Sequence, residues 1–324
     1  MNANLIRSDS RALGVLLLGA VCLSFAPLFV KVLNPLGMGP TSIGFWRTFI
    51  GAMILFVWTI ITRQKLLLPW SVMRWTIAAG FVFFLDLYCW HKSILYSGAG
   101  ISTILANTQV FATAVLSFFV FKERIRPRFV IAAVTAIIGV ILLIGVGSDV
   151  EFTTIYIKGT ILGLLTGLAY AHYLIVLKLA GHERQSPVGG GSGFMCLMAW
   201  TSLSSAFFLG LTTLVDKSEA MLPPNLQALL YVALLALIVQ AVGWWLISRS
   251  LPEIAASHSG LGLLLQPVLA TFWGVIFFSE HFGQFQIIGA VVTLAAIYVG
   301  SVRKGGEADS SHKKRAADRQ PPLK

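Results

Sequence analysis

Trp90–Glu123 reads WHKSILYSGAGISTILANTQVFATAVLSFFVFKE, and the chain repeats this pattern 157 residues later in Ile247–Glu280, which reads ISRSLPEIAASHSGLGLLLQPVLATFWGVIFFSE. Identical residues hold equivalent positions in both segments: Ser93 and Ser250, Ala99 and Ala256, Gln109 and Gln266, Phe121 and Phe278, Glu123 and Glu280. Apolar segments align easily by chance, but here polar residues recur at one offset and the ends of the apolar blocks coincide. The pattern indicates two structurally related halves.

The repeat lies in a chain built from apolar blocks of about 20 residues, the length that crosses roughly 30 Å of hydrocarbon. Hydrophobic residues make up 56% of the 324 residues and charged residues only 11%, whereas a soluble domain has about a quarter charged residues. The blocks are continuously apolar, which predicts helices and not a barrel. We expect an all-α membrane protein with ten transmembrane helices, at 12–32, 41–62, 75–95, 100–121, 129–146, 159–179, 193–215, 226–248, 254–278 and 286–302.

The distribution of Lys and Arg predicts how these helices are oriented. With the N-terminus inside, most of the 24 basic residues flank the spans on the cytoplasmic side, and the outer loops hold only Lys158 and Lys217. The positive-inside rule then places both termini in the cytoplasm of a multi-pass protein of the cytoplasmic (inner) membrane.

Each half contains five spans, an odd number, so the two halves must lie in opposite orientations. The loop after the fourth span, Lys122–Arg128, is basic, whereas its counterpart Ser279–Phe285 contains no Lys or Arg. We therefore predict two inverted five-helix repeats, 1–147 and 158–302, and a disordered cytoplasmic tail, 303–324. Inverted repeats are typical of secondary transporters, because two half-bundles can rock around a central site in alternating access.

Composition and motifs argue against several other functions. The net charge of +11 resides in short loops and the tail, so no nucleic-acid partner is expected. The sequence contains no nucleotide-binding P-loop and no cluster with metal-ligand spacing, so we expect no cofactor and no metal. Ser192 in a Gly-Gly-Ser-Gly run, with His258 as partner, would suit an intramembrane serine protease. A flexible linker is the simpler interpretation, and we expect no enzymatic activity.

Asp86 is the leading candidate for a functional residue, because it lies near the middle of the third span, where ionisable groups are costly. It shares a helical face with Cys89, Trp90 and Ser93. One interpretation is a carboxylate that couples transport to protons or substrate beside an aromatic wall. The alternative is a structural aspartate bonded to a neighbouring helix.

Further candidates for substrate binding or coupling are polar or aromatic residues within the spans, including Trp90 and Tyr173. His91, His172 (followed by Tyr173) and His258 are each either a titrating or substrate-binding group or a packing histidine. Arg47 either attracts a carboxylate, or caps a helix end or binds lipid headgroups. A central cavity between the halves is expected to be lined by Asn107, Gln109, Gln266 and Trp273, although amides also join helices and Trp often packs.

Three parts of the chain resemble the EamA-type ten-helix members of the drug/metabolite transporter superfamily: FAPLFVKVL with GPTSIGFWRTFIGAMIL (Phe25–Leu55), LANTQVFATAVLSFFVFKERIRPRFV (Leu105–Val130) and LLLQPVLATFWGVIFFSEHF (Leu263–Phe282). That family habitually has a proline in the fourth and ninth spans and a glutamate closing each. Pro267, Glu123 and Glu280 fit, but Val110 replaces the first proline, so the halves need not flex identically.

The resemblance implies a secondary carrier for a small organic solute, with export of an amino acid or related metabolite as the preferred activity. A drug or toxic-compound efflux carrier is the main alternative. The expected partners are the substrate, protons and membrane lipids, and both a monomer and a homodimer fit the sequence.

Overall fold

The computed structural model describes residues 3–122, 127–185, 193–216, 219–250 and 262–301, with the side chains of 3–10, 185 and 301 left out. These residues form twelve α-helices and one π-helix: α1 Ala3–Leu33, α2 Pro40–Ile61, α3 Trp70–Ser97, α4 Ala99–Asn107, α5 Gln109–Phe121, α6 Pro127–Leu143, α7 Thr154–Gln185, α8 Phe194–Val215, α9 Leu226–Leu235, the π-helix Ala236–Gly243, α10 Trp244–Ser250, α11 Leu265–Phe278 and α12 Gln284–Ser301. Glu123, Ser192, His258 and the tail lie outside the described residues.

Within the described ranges, seven stretches of helix are long and apolar enough to cross a membrane, and three shorter helices are also apolar. The fourth span consists of α4 and α5, and the eighth of α9, the π-helix and α10. The shorter helices α6, α11 and α12 fall on the fifth, ninth and tenth predicted spans. The prediction of an all-α, multi-pass membrane protein is confirmed. The third and sixth spans are longer than predicted, at Trp70–Ser97 and Thr154–Gln185.

The internal repeat is visible in the backbone. Three non-glycine residues in the described ranges have positive φ, and two of them, Lys122 (φ 56°) and Ser279 (φ 51°), are 157 residues apart. Each ends a helix in the left-handed conformation that satisfies terminal carbonyls, with N–H groups bonded to Ser117 and Gly274, which are also 157 residues apart. The fourth and ninth spans therefore end in the same way.

The phenylalanine ring before each of these caps makes a cation–π contact with a lysine from the other half. Lys178 Nζ of α7 lies 4.1 Å from the centroid of Phe121, and Lys31 Nζ of α1 lies 4.6 Å from that of Phe278. Packing between helices follows the same relation. The third span packs on α7 and α8, as the eighth span packs on α1 and α2; α4 and α5 pack on α7, as α11 packs on α1. Exchanging the halves thus reproduces the packing, as two inverted repeats require.

The fourth span is not one continuous helix, as had been expected for 100–121. It breaks at Thr108 (φ −62°, ψ −11°), and the described helix of the ninth span, α11, begins after Leu264, which has nearly the same backbone angles (φ −68°, ψ −13°). Thr108 lacks a nearby proline, but its hydroxyl donates to the carbonyl oxygen of Leu105 over 2.6 Å. The replacement of proline by Val110 therefore does not remove the break.

The two ends of the bundle are named here after the orientation that the basic residues predict. The outer end is formed by residues 34–39, 144–153 and 279–283, and the cytoplasmic end includes residues 62–69. Between the ends, a core of buried apolar side chains joins α1, α2, α3, α7 and the eighth span. The polar residues discussed below interrupt this core.

Candidate functional site

Arg47 lies at the centre of a polar cluster between α2, α3 and the eighth span. It is two turns inside α2 and 3% exposed. Its Nε donates to Gln240 Oε1 over 3.2 Å, and its Nη1 lies 3.4 Å from His91 Nε2. Burial at this depth keeps the guanidinium from lipid headgroups and from the end of its own helix.

The contact with Arg47 determines the protonation state of His91. A guanidinium can only donate, so His91 Nε2 must accept. The proton then resides on Nδ1, which donates to the carbonyl oxygen of Pro40 over 3.0 Å. His91 is fully buried and uses both ring nitrogens as a neutral imidazole. This geometry favours the packing interpretation of His91 over the titrating one.

Gln240, a residue of the second half, links Arg47 to α8. Its Oε1 accepts from Arg47 and its Nε2 donates to Ser202 Oγ of α8 over 3.0 Å. It lies in the π-helix, a distortion that is frequent at functional sites. A Cβ added to Gly51 of α2 would lie 2.5 Å from Gln240 Cγ, so the glycine leaves the space that this side chain occupies.

Asp86 of α3 is 6% exposed and belongs to the same cluster. Its carboxylate attracts the Arg47 guanidinium electrostatically, but the two do not form a direct ion pair. None of the residues in the described ranges donates a hydrogen bond to it. Buried charges are normally paired and hydrogen-bonded, so the Asp86 carboxylate has unused capacity.

Trp90 lies one helical turn from Asp86 and is 8% exposed. Arg47 Cζ is 5.8 Å from the centroid of its ring, a cation–π distance. The indole Nε1 is buried and has no hydrogen-bond acceptor among the described residues. A donor without an acceptor therefore lies beside an incompletely paired guanidinium and carboxylate.

Tyr173 forms an aromatic wall next to these groups. Its fully buried ring stacks on Phe83 at 4.8 Å and on Tyr170 at 5.9 Å between centroids. Both tyrosines lie within electrostatic range of Asp86 and Arg47. The structure thus brings together four predicted site residues, Asp86, Trp90, His91 and Tyr173.

Other predicted site residues do not join the cluster. His172 is exposed, and its Nδ1 bonds the Leu168 carbonyl oxygen of its own helix. Asn107 donates to the Thr103 carbonyl oxygen, and Gln109 accepts from the Thr113 hydroxyl, so both amides bond within their own spans at the break.

The ninth-span candidates contact α1. The Trp273 indole donates to Ser24 Oγ over 3.0 Å and stacks on Phe25 at 5.4 Å, whereas Gln266 is partly buried two residues after Leu264. His258 lies outside the described residues. Ser93, predicted to share the face of Asp86, donates to the Gly159 carbonyl oxygen of α7 and so joins two helices.

Sequence reasoning missed Gln240, Ser202 and Gly51. A lone glutamine in the apolar run LLALIVQAVGWWL (Leu234–Leu246) was a usable signal for Gln240. Ser202 is one of several serines in α8, and Gly51 one of 30 glycines. No pattern in the sequence distinguishes either of them.

A second set of carboxylates lies at the outer end. Glu280 accepts from Lys31 Nζ at 2.6 Å, from Ala99 N at 2.7 Å and from Gly100 N at 3.3 Å. Glu219 accepts from the backbone N–H and hydroxyl of Thr41 and from the backbone N–H of Ser42, at 2.8–3.0 Å. Each caps the N-terminus of a helix, where a negative charge is stabilising.

Comparisons with known proteins agree with this architecture. The model of the EamA-like transporter family matches residues 10–145 and 157–302. The uncharacterized transporter YwfM of Bacillus subtilis (strain 168) is 25% identical over 292 residues, which cover 87% of this chain and 92% of that protein. A probable amino-acid metabolite efflux pump of Salmonella typhimurium is 23% identical over 207 residues, covering 62% of this chain and 67% of the pump. A crystal structure with 18% identity covers 90% of this chain and 97% of its own, with a TM-score of 0.62, and shares the fold.

Proposed function

Because this chain belongs to the EamA-like transporter family, we propose that it is a secondary carrier that exports an amino acid or related metabolite across the cytoplasmic membrane. One observation carries the proposal: Arg47, Asp86 and the Trp90 indole N–H lie buried between two inverted halves, with incomplete pairing. Ionisable groups inside a membrane bundle generally mark substrate or ion pathways. Two inverted halves can expose such a site to each side in turn.

The break at Thr108 in the fourth span, and the start of α11 at the equivalent position in the ninth span, support alternating access. Discontinuous helices at equivalent positions of two repeats are typical of carriers that rock around a central site. In this proposal the contacts between helices at the outer end open while those at the cytoplasmic end close. A single chain contains both halves, so a monomer suffices. The distribution of basic residues supports an orientation with both termini in the cytoplasm.

Export, as the direction, is supported by the relatives named as probable amino-acid metabolite efflux pumps. Asp86 is the proposed proton site, because its carboxylate faces the cluster without a hydrogen bond from any described residue. A proton on Asp86 would be exchanged for substrate. The groups around it are Arg47, neutral His91, Cys89, Tyr170 and Tyr173.

An efflux carrier for apolar compounds is the second candidate, and one observation favours it. A cavity of about 190 Å³ between α2, α8 and the eighth span has only apolar and aromatic lining, including Trp58, Met195 and Trp245. An apolar compound would bind there without a charged partner. Such a substrate would leave the Arg47–Asp86 cluster unused.

Untargeted mass spectrometry of the medium from cells overexpressing the chain tests the proposal, with empty-vector and Asp86→Asn controls. We expect an amino acid or close metabolite to accumulate outside only with the intact protein. Reconstitution into liposomes loaded with that solute should then give counterflow. Accumulation of an apolar compound, unaffected by Asp86→Asn, would favour the second candidate. No change in the medium and no flux in liposomes would contradict the proposal.

A further inference from the structure

Resting on the proposed function, we infer that the Arg47–Asp86 cluster binds the zwitterionic head of an α-amino acid. The carboxylate would accept from the Arg47 guanidinium and the Trp90 indole N–H. The ammonium would donate to the Asp86 carboxylate. The inference names the substrate class and the two contacts that select it.

The first step concerns the donors. A guanidinium carries five N–H groups, and described residues engage one at Nε and one at Nη1. The others are available, and the Trp90 Nε1 proton is buried without an acceptor. Arg binds carboxylates through two parallel hydrogen bonds. A ligand carboxylate would therefore satisfy both the guanidinium and the neighbouring indole.

The second step concerns the acceptor. The Asp86 carboxylate is buried, with 6% of the residue exposed, and yet it receives no hydrogen bond from the described residues. The attraction to Arg47 acts without direct contact, so neither charge uses the other as a hydrogen-bond partner. An α-amino acid has a donor and an acceptor of opposite charge one carbon apart. It can bridge such a gap in one orientation.

The third step concerns total charge. With Asp86 deprotonated, Arg47 and Asp86 are opposite in sign and His91 is neutral, so the cluster that receives the substrate carries no net charge. A zwitterion keeps it neutral, whereas a simple anion or cation would leave one buried charge unmatched. Unmatched charges in a low-dielectric interior are strongly disfavoured. The site should therefore reject monovalent acids and amines of the same size.

The test uses the purified full-length protein and isothermal titration calorimetry with each of the twenty L-amino acids. For those that bind, the methyl ester lacks the carboxylate charge and the N-acetyl form lacks the ammonium. We expect both derivatives to bind at least tenfold more weakly than the parent. Derivatives that bind as well as the parent would overturn the inference.

Charge variants sharpen the test. In Arg47→Gln the parent amino acid and its methyl ester should bind with equal affinity. In Asp86→Asn the parent and its N-acetyl form should bind with equal affinity. Trp90→Phe keeps the ring but removes the N–H. It should weaken parent and N-acetyl binding several-fold while leaving the ester unaffected, which keeps the test valid if Arg47→Gln fails to fold. The matched controls are the exposed Arg74→Gln and Asp149→Asn, for which unchanged affinities are expected.

The outcomes separate this inference from the proposed function. Flux of an apolar or singly charged solute in liposomes, with no binding of any amino acid, would overturn the head-group inference and leave a carrier. An equal loss of affinity for parent, ester and N-acetyl form in every cluster variant would also overturn it. Absence of flux for every solute would remove the proposed function as well.

Discussion

Asp86 and Glu280 are both acidic residues of a membrane bundle, yet their surroundings differ. The Glu280 carboxylate accepts from one ammonium and two backbone N–H groups, and Glu219 is equally well satisfied. Asp86 is buried more deeply and receives no hydrogen bond from the described residues. A carboxylate with complete pairing holds helices together, whereas one with unused capacity is available to a ligand. The following predictions test that distinction.

The largest effect is expected for Asp86→Asn. The substitution removes the negative charge that faces Arg47 and leaves the guanidinium unmatched in the bundle. We expect at least a tenfold loss of flux, with any residual flux losing its pH dependence. Liposome flux between about pH 5 and 8 measures both. An unchanged pH profile would make Asp86 a structural residue, in the same category as Glu280.

Glu280→Gln should lower stability but not substrate recognition. It removes the ion pair with Lys31 and weakens the cap on α4, and hydrogen bonds to charged groups contribute about 1.5–3 kcal/mol each. We expect a lower melting temperature of the purified protein and unchanged ligand affinity. Lys31→Met, alone and combined with Glu280→Gln, should show non-additive losses. A change in affinity as large as that for Asp86→Asn would contradict the comparison.

Gly51→Ala should act on the site through Gln240. The added Cβ would meet Gln240 Cγ at 2.5 Å, and overpacking typically costs about 1–3 kcal/mol. Displacement of Gln240 would loosen Arg47, so we expect a several-fold loss of affinity. Gly14→Ala is the matched control, because no atom lies within 4 Å of its added Cβ. Equal effects of the two substitutions would exclude a specific role for Gly51.

The smallest effects are expected at predicted site residues that bond within their own helices. His172→Asn and Asn107→Ala should change flux by less than about twofold and stability by about 0.5 kcal/mol or less. Flux and melting temperature can be measured in the same preparations. A large loss of flux in either variant would indicate that these side chains meet the substrate in another conformation.

Much of the fold was predictable, because the length of an apolar block is a local property of the sequence. The repeat was also readable, since Glu280, Gln266 and Phe278 recur at one offset. The break at Thr108 was not, because it occurs in a span that lacks the expected proline.

The candidate site was predictable only in part. Asp86 and Trp90 share one helix face, so spacing alone connects them. Arg47, Gln240 and Ser202 come from three different spans, and only packing brings them together. The neutral state of His91 depends on contacts with Arg47 and Pro40, neither of which the sequence around His91 reveals.

The charged members of the central cluster all come from the first half, whereas the second half contributes the uncharged Gln240 and Ser202. When the halves rock against each other, Arg47 and Asp86 would move as one neutral pair. Moving a net charge through the membrane potential costs about 2.3 kcal/mol per 100 mV, but a neutral pair carrying a zwitterion moves none. The rocking step itself would then be electroneutral, and any voltage dependence of the flux would report the accompanying proton.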